Sequence, residues 1–365
     1  MGKHLQNILQ KAGLLNVAQK AYLKWMTVKA EAELLFVLPL LNKSGVLRRF
    51  YFAFFSSTFS AEMRQYINGR YFYLQRSKGP VFNESLLRRN IHRLEKGIMA
   101  EERKKVFGLD FIGETVRQFS ASVAQNTSAE VNDWAFDILN EYFKIVDKVP
   151  VIKRAYDDFK GVVYSKNNPN QSKLPYVKLH PRAEAFDHFQ ELLSIRKSVR
   201  SFVPDSIPSR EHVEKAVRLA STAPSSCNRQ PFRFVVLEDK QSVVGVSKLA
   251  GGARSFAEGI PALAIVVGST SVSPSPGDRH LMYIDGSLAS MNFMLALESM
   301  GISSCPINWP DIKKSEKALR KIVALEKFER PVMLIAMGEA AETGLVACSV
   351  RKEVSELLQF HVPEK

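Results

Sequence analysis

A loop of short hydrogen-bonding side chains runs directly into an apolar stretch near the middle of the chain. Two prolines, Pro224 and Pro231, limit the backbone freedom of this loop. The run that follows, residues 232–237, is β-branched and aromatic, which is typical of a strand. A polar loop at the start of a strand can bind the polar edge of a planar heteroaromatic ligand, although an ordinary turn is the simpler interpretation. The candidate binding side chains are Ser225, Ser226, Asn228 and Gln230.

A second candidate site concentrates positive charge upstream. Within five residues stand three cations and a hydroxyl, namely Arg196, Lys197, Ser198 and Arg200. Guanidinium groups bind phosphate oxygens through paired hydrogen bonds, and lysine and serine add further donors. The run is therefore a candidate site for a phosphate monoester, while a solvated basic surface would have the same composition.

Further motifs follow in the C-terminal half of the chain. They are Asp285-Gly-Ser-Leu-Ala-Ser-Met-Asn-Phe-Met-Leu-Ala-Leu-Glu-Ser-Met-Gly301, Cys305-Pro-Ile-Asn-Trp309, Pro331-Val-Met-Leu-Ile-Ala-Met-Gly-Glu339 and Arg351-Lys352. In this order and at this spacing, residues 186–358 resemble the nitroreductase-like family of FMN-dependent oxidoreductases.

The resemblance implies a role for each motif. The run 196–200 would bind the ribityl phosphate of FMN, and Arg351 with Lys352 would complete that phosphate site. Asn228 would face the pyrimidine edge of the flavin, because an amide both donates and accepts hydrogen bonds. The neighbouring positions Ser225 and Ser226 would lie near the flavin or the partner subunit, with Gln230 assisting.

Two further roles concern the reactive part of the flavin. Relatives present backbone amides toward the flavin N5, the atom that accepts hydride, from the positions of Pro306, Ile307 and Asn308. Many relatives have glycine there, so Pro306 and Ile307 depart from the family pattern. Positive charge from Arg196 or Lys197 near N1 and O2 would stabilise the reduced flavin. The neighbouring Cys305 is expected to be a small core residue rather than a redox thiol.

The elements that must position these residues alternate in an α+β manner. Helices are expected at 184–195, 209–222, 240–249, 283–300 and 311–324, and strands at 232–238, 261–268, 303–309 and 331–338. The helix at 283–300 is apolar on almost every side, which predicts a buried central helix. The resemblance implies a nitroreductase-like FMN-binding fold, with a mixed or antiparallel sheet around that helix.

The N-terminal half resembles no family that would give it a function. Residues 1–180 hold 28 Lys and Arg against 16 Asp and Glu, so most of the net charge of +14 lies there. Apolar periodicity predicts helices at 5–26, 84–106, 110–124 and 128–147. We expect a mostly helical basic domain at 1–163, a linker at 164–183, and the FMN-binding domain at 184–365. The family resemblance implies that the C-terminal tail is an arm that wraps around the neighbouring subunit.

Several alternatives stay open for this half. The helix at 5–26 packs on its own domain or lies on a membrane surface. The aromatic and arginine-rich residues 30–75 form a core or bind a polyanion such as nucleic acid. His92, Glu95 and Lys96 form a polar site or belong to a solvated helix face.

The cysteine and histidine content and the apolar segments indicate the cellular compartment in which the protein is expected. Three scattered cysteines without a CxxC pair indicate a reducing environment, and no histidine spacing indicates a metal site. No segment reaches the roughly 18 apolar residues of a membrane-spanning helix, and the N-terminus does not have the pattern of a signal peptide. A cytoplasmic location is expected.

The resemblance implies a homodimeric flavoenzyme. NADH or NADPH would reduce bound FMN, and a small-molecule acceptor, nitroaromatic or quinone-like or a biosynthetic intermediate, would reoxidise it by a ping-pong route. No side chain need act as a nucleophile or base, because the cofactor carries the reaction. The alternatives are an FMN-dependent dehydrogenase or oxidase of a dedicated substrate, and a non-catalytic dimer whose basic half binds a membrane surface or polyanion.

Overall fold

The computed structural model describes Ala21, Lys24, and residues 37–78 and 81–361. The chain divides between Arg64 and Gln65 into two compact units. The amphipathic helix expected at 5–26 lies almost wholly outside the described residues.

The first unit contains two short helices, α1 (Leu38–Lys43) and α2 (Gly45–Phe54). The guanidinium of Arg48 donates to the carbonyl oxygens of Leu41 and Asn42 at 2.9 and 3.1 Å, which satisfies carbonyls at the end of α1. The next helix, α3 (Ser60–Lys78), begins in this unit and runs past its boundary.

Four helices of the second unit share one hydrophobic core. They are α4 (Glu84–Met99), α5 (Ile112–Ala124), α6 (Ala129–Ile145) and α7 (Pro150–Lys160). Their fully buried side chains include Leu94, Phe119, Ile138 and Tyr142. These helices confirm the predictions at 110–124 and 128–147 to within two residues.

The helix predicted at 84–106 is too long. It ends at Met99, and the chain turns back so that the ring of Phe107 lies against Gly97. A Cβ at Gly97 would stand 2.6 Å from a carbon of that ring. The charged run 101–105 therefore forms a loop, because the glycine gives the returning aromatic ring a place to pack.

The segment that follows α7 is held in place at its start. The carboxylate of Asp133 on α6 accepts from the hydroxyl of Tyr164 at 2.5 Å. It also accepts from the backbone N–H groups of Asn167 and Asn168 at 3.1 and 3.2 Å. Although burial raises the pKa of Asp133, these hydrogen bonds lower it on balance. The first residues of the expected linker are thus held on helix α6.

The remainder of the unit alternates helix and strand, as predicted. In chain order its elements are α8 (Ala185–Ile195), α9 (Arg210–Ala220), β1 (Phe232–Leu237), α10 (Lys240–Ser247), β2 (Ala262–Ser269), α11 (Leu281–Ser299), β3 (Ser303–Asn308), α12 (Lys313–Leu319), β4 (Glu329–Gly338) and α13 (Val354–Leu357). All predicted bounds hold within two residues except the end of the helix predicted at 311–324. That helix ends at Leu319 because the Arg320 guanidinium donates to the carbonyls of Leu325 and Glu326 and turns the chain.

The four strands form an antiparallel sheet in the order β1-β2-β4-β3. The central pair, β2 and β4, is buried along almost its whole length. Strand β3 is an edge strand, and Ser198 forms a single parallel bridge to Ser304 on its outer side. The architecture is a nitroreductase-like α+β fold preceded by a helical region.

Hydrophobic cores cover both faces of the sheet. Helices α9 and α11 pack on one face, with Val213 and Phe293 among the buried residues. Helices α10 and α12 pack on the other. The prediction of a buried central helix needs one correction. Ile284 and Leu288 of α11 are 55% and 43% exposed, so one apolar stripe of this helix faces outward.

Candidate functional site

The basic run 196–200 lies where helix α8 meets the outer edge of strand β3. Arg196 ends the helix, and its N–H donates to the carbonyl of Leu192 at 3.1 Å. The N–H of Val199 then donates to the carbonyl of Ser304 at 3.0 Å, and the Val199 side chain is buried. Lys197 and Arg200 remain exposed. The backbone of the run is thereby anchored while its cations face outward.

Two ionisable groups lie close to this run. Burial raises the pKa of Glu298 on α11, and the charge of Arg196 opposes that shift. Burial likewise raises the pKa of the Cys305 thiol, against the charges of Arg200 and Arg196. A thiol with a raised pKa is a poor nucleophile at neutral pH. The side chain is 1% exposed, in agreement with the expected core role of Cys305.

The strand residues expected near the flavin N5 alternate in direction. Because the carbonyl of Ser304 points outward to Val199, the backbone groups of residues 306 and 308 also point outward, and those of 307 point toward β4. Pro306 has no N–H. Of the three positions, Asn308 alone offers an outward backbone donor. Ile307 faces the core with 4% exposure, whereas Pro306 and Asn308 are exposed.

The polar loop before β1 has an unusual backbone. Three of its residues, Cys227, Asn228 and Gln230, have φ angles of 51°, 51° and 47°. Residues other than glycine adopt this left-handed region at a cost of about 1–3 kcal/mol each. Such a conformation persists only where surrounding contacts hold it, so the contacts of this loop are informative.

Within the loop, the polar side chains bind one another. The Ser225 hydroxyl accepts from the N–H of Gln230 at 3.2 Å. The Gln230 amide donates to Oδ1 of Asn228 at 2.9 Å. With its oxygen occupied in this way, Asn228 offers its NH₂ group, so it suits a ligand that presents acceptors.

Arg229 organises the loop, and the sequence analysis missed it. Its side chain is 3% exposed. It donates to the carbonyl and the hydroxyl of Ser226 at 2.9 and 2.8 Å. It also donates to the carbonyl of Val272 at 2.9 Å and pairs with Asp278 at 3.0 Å. The guanidinium thus fastens the loop to the segment that precedes α11.

Helix α11 also holds the loop 225–230 in place. The carboxylate of Asp285 accepts from the N–H of Ser226 at 3.0 Å. Burial and the charge of Asp278 raise the pKa of Asp285, while this hydrogen bond and Arg229 oppose the shift. Ser226 is therefore held from two sides, by Arg229 and by Asp285.

Helices of the N-terminal half also support this region. Helix α4 lies against the turn Ser226–Asn228. Helix α3 packs on the segment after β2, where the Thr270 hydroxyl donates to the carbonyl of Gln65 at 3.0 Å. Burial raises the pKa of Tyr73 on α3, and the charges of Arg89 and Arg229 oppose this. No short sequence pattern would have shown these long-range contacts.

The two sets of candidate residues lie at opposite corners of the sheet. The loop 225–230 leads into Phe232, which pairs with Gly268 at one end of edge strand β1. The basic run pairs with Ser304, which lies on the other edge strand and opposite Met337, at the far end of β4. Three strand spacings and several residues of rise separate them, on the order of 20 Å. A single chain therefore does not bring the two sets together.

The C-terminal pair lies in an exposed tail. Arg351 donates to the carbonyl of its neighbour Ser349 at 2.9 Å, and Lys352 is exposed. Apolar side chains of the tail are exposed too, among them Leu345 at 93% and Phe360 at 80%. The structure places neither basic residue against the run 196–200.

Comparisons with known proteins support the architecture. The family model described as Nitroreductase family matches residues 193–253 and 241–339. Bacillus subtilis YdgI, named as a putative NAD(P)H nitroreductase, is 27% identical over 193 residues, covering 43% of this chain and 90% of YdgI. An iodotyrosine deiodinase of Haliscomenobacter hydrossis is also 27% identical, over 47% of this chain and 87% of that protein.

Two solved structures of proteins named as nitroreductases match about half of this chain. Bacillus subtilis ydfN superposes with a TM-score of 0.43 at 18% identity, over 48% of this chain and all of that one. An FMN-dependent nitroreductase of Clostridium difficile has a TM-score of 0.40 at 19% identity, over 47% and 98% of the two chains. The family match leaves the first 192 residues outside it. The C-terminal half of this chain thus matches the model of the Nitroreductase family.

Proposed function

We propose that the protein is an FMN-dependent oxidoreductase in which NADH or NADPH reduces bound FMN and a small-molecule acceptor reoxidises it by a ping-pong route. Residues 184–365 form the catalytic domain in this proposal. The observation that carries it is the anchored basic run beside the outer edge of β3, in a domain that matches this family. Lys197 and Arg200 of this run are exposed, and Arg196 is half-buried.

The residues present fit FMN in their chemistry. Arg196, Lys197 and Arg200 supply the charge that a phosphate monoester requires. Beside the run, the hydroxyl of Ser304 is buried and has no hydrogen-bond partner among the described residues. At the other corner, the Asn228 amide suits the acceptors on a pyrimidine edge.

When bound, FMN supplies the hydride chemistry, and the protein binds and orients it. The run 196–200 would hold the phosphate end, and the charge of Arg196 or Lys197 would stabilise the reduced flavin. The outward N–H of Asn308 is the donor on β3 available to the flavin ring. Contacts within the loop, from Ser225, Ser226 and Gln230, would hold the Asn228 amide in place to face the polar pyrimidine edge of the flavin.

The opposite placement of the two sets supports a homodimer. A flavin that uses both sets would take the run 196–200 from one chain and the loop 225–230 from its partner. The outward stripe of α11 and the exposed apolar tail supply surfaces for that pairing. In the dimer, Arg351 and Lys352 of the tail would complete the phosphate site.

The first test is the visible spectrum of the purified full chain, without oxygen, before and after NADH and then NADPH. We expect a flavin spectrum that bleaches. The variant Arg196→Ala/Arg200→Ala should lose at least ~90% of its flavin, because each guanidinium contributes a charged hydrogen bond of about 1.5–3 kcal/mol.

The matched control is Arg182→Ala/Arg218→Ala, which removes two exposed guanidinium groups of the same half and should keep its flavin. Full occupancy in the Arg196→Ala/Arg200→Ala variant would contradict the phosphate site. A colourless wild-type protein that does not take up FMN would favour a non-catalytic role.

A second class of acceptor follows from the relatives named iodotyrosine deiodinases. An iodinated phenol would be reductively dehalogenated in place of a nitroaromatic. Anaerobic reoxidation of the bleached protein by a nitroaromatic or by iodotyrosine distinguishes the two. Flavin that is bound but indifferent to both nicotinamides would instead favour a dehydrogenase or oxidase of a dedicated substrate.

A further inference from the structure

The first unit presents an apolar surface that the proposed redox chemistry does not use. Helix α2 places Val46, Phe50 and Phe54 one turn apart along one side, and all three are exposed, at 74%, 54% and 72%. Leu47 and Phe55 extend this surface at 47% and 72% exposure. We call these five residues the α2 face.

The aromatic rings of the α2 face are in mutual contact. The ring centroids of Phe50 and Phe54 lie 4.8 Å apart, and those of Phe50 and Phe55 lie 5.9 Å apart. The three aromatic rings of the α2 face therefore form one contiguous group rather than scattered contacts. Large aromatic groups that stay exposed together mark an interaction surface, because isolated exposed apolar residues are ordinary and contiguous ones are costly.

Positive charge borders this face. Residues 37–64 contain four basic side chains, at positions 43, 48, 49 and 64, against the single acid Glu62. Arg48 is occupied with the carbonyls of α1. Lys43 and Arg49 are exposed, and Arg49 precedes Phe50 on the helix. The sequence 1–180 as a whole carries the same excess, 28 basic against 16 acidic residues.

We propose that the α2 face docks on the surface of an anionic lipid bilayer. Aromatic and aliphatic side chains enter the boundary between headgroups and acyl chains, and lysine and arginine at the rim meet anionic headgroups. A surface-bound helix is sufficient for this. Among the described residues, no helix is long and apolar enough to cross a membrane.

Charge complementarity favours an anionic bilayer over a second copy of the chain as the partner of the α2 face. A second copy of the chain would bring the same basic rim against itself, and like charges would oppose that pairing. A bilayer that contains phosphatidylglycerol offers negative charge and an apolar interior at one surface. The α2 face needs both.

The test is co-sedimentation of the full chain with vesicles of phosphatidylcholine, alone or with about 30% phosphatidylglycerol. We expect binding to the anionic vesicles that falls at least ~10-fold in 1 M salt, where the screening length shortens to about 3 Å. The variant Phe50→Asp/Phe54→Asp should bind at least ~10-fold more weakly, because it removes two large apolar groups and adds negative charge.

The matched control is Val163→Asp/Tyr176→Asp, which makes the same kind of change at residues that are 94% and 87% exposed outside this face. It should bind vesicles like the wild type. No binding by the wild type, equal binding to neutral vesicles, or unchanged binding by Phe50→Asp/Phe54→Asp would overturn the proposal. The proposal would also be overturned if the wild type did not bind vesicles and light scattering showed that Phe50→Asp/Phe54→Asp had a different oligomeric state from the wild type. A second copy of the chain would then cover the α2 face.

Discussion

At the scale of single residues, the loop 225–230 depends on a guanidinium within it. Arg229 donates to both oxygens of Ser226 and reaches across to Val272 and Asp278. Three neighbours of Arg229 hold left-handed backbone angles that the loop would not keep unaided. We infer that Arg229 positions Asn228 for the flavin without touching the flavin itself.

Replacing Arg229 with alanine should therefore weaken FMN binding at least ~10-fold and lower the free energy of unfolding by about 2–4 kcal/mol. The conservative variant Arg229→Lys keeps a charge for Asp278 but lacks the planar fork for Ser226. It should recover stability in part while FMN binding stays weak. Flavin fluorescence titration and thermal unfolding measure the two quantities.

Arg218→Ala, which removes an exposed guanidinium, serves as the control for charge and should change neither quantity. If FMN affinity recovers in parallel with stability in Arg229→Lys, Arg229 is a stabilising residue only and positions nothing.

The sequence showed the residue types of this loop but not the long-range contacts that hold its backbone. Short polar side chains between two prolines are visible locally, and so is the basic run at 196–200. The partners of Ser226 are Asp285, 59 positions away, and the guanidinium of Arg229, two of whose four acceptors are backbone carbonyl oxygens. Every residue has a backbone carbonyl, so no residue type in the sequence marks the role of Arg229.

At the scale of elements, periodicity predicted most helices and strands because each carries its own pattern. The strands β1–β4 alternate with helices at nearly the expected bounds. Errors arose where a tertiary contact ended a helix, as the Phe107 ring does beside Gly97. The packing of α3 and α4 near the loop joins segments more than 100 residues apart, and no local pattern encodes such contacts.

Gly69 shows how closely α3 approaches the segment after β2. A Cβ at this position would stand 2.7 Å from the backbone carbonyl of Thr270, and backbone cannot move aside cheaply. Gly69→Ala should lower the free energy of unfolding by about 2 kcal/mol or more. Thermal unfolding of the full chain measures the change.

Gly113 on α5 provides the matched control, since a Cβ there meets no atom within 4 Å. Gly113→Ala should leave the unfolding temperature unchanged or slightly higher, because alanine favours helices over glycine by roughly 0.5–1 kcal/mol. Equal effects of the two substitutions would show that α3 does not need this close approach.

At the scale of the whole molecule, the flavin site proposed here is complete only in a pair of chains. The two candidate sets lie at opposite corners of one sheet, and α11 leaves an apolar stripe exposed. The sequence analysis expected a homodimer from the family resemblance. The structure adds a physical reason for this proposal, namely the distance between the two sets.

The variant Ile284→Asp/Leu288→Asp should disrupt this pairing, because both side chains belong to the exposed stripe of α11. Light scattering of the wild type should give twice the chain mass of 41.1 kDa, and the variant should give a monomer that has lost its flavin. The variant Val163→Asp/Tyr176→Asp should remain a dimer with flavin. A wild-type monomer with bound flavin would contradict the two-chain site.

The outer edge of β3 has a consequence for solubility. An edge strand with free N–H and C=O groups can pair with a strand from another molecule, which is how many proteins begin to aggregate. Here Ser198 occupies the edge at Ser304, and Pro306 removes the next outward N–H. The short ladder left at Asn308 is too small to template a new strand. The same proline that departs from the family pattern thus hinders pairing of the β3 edge with a strand of another molecule.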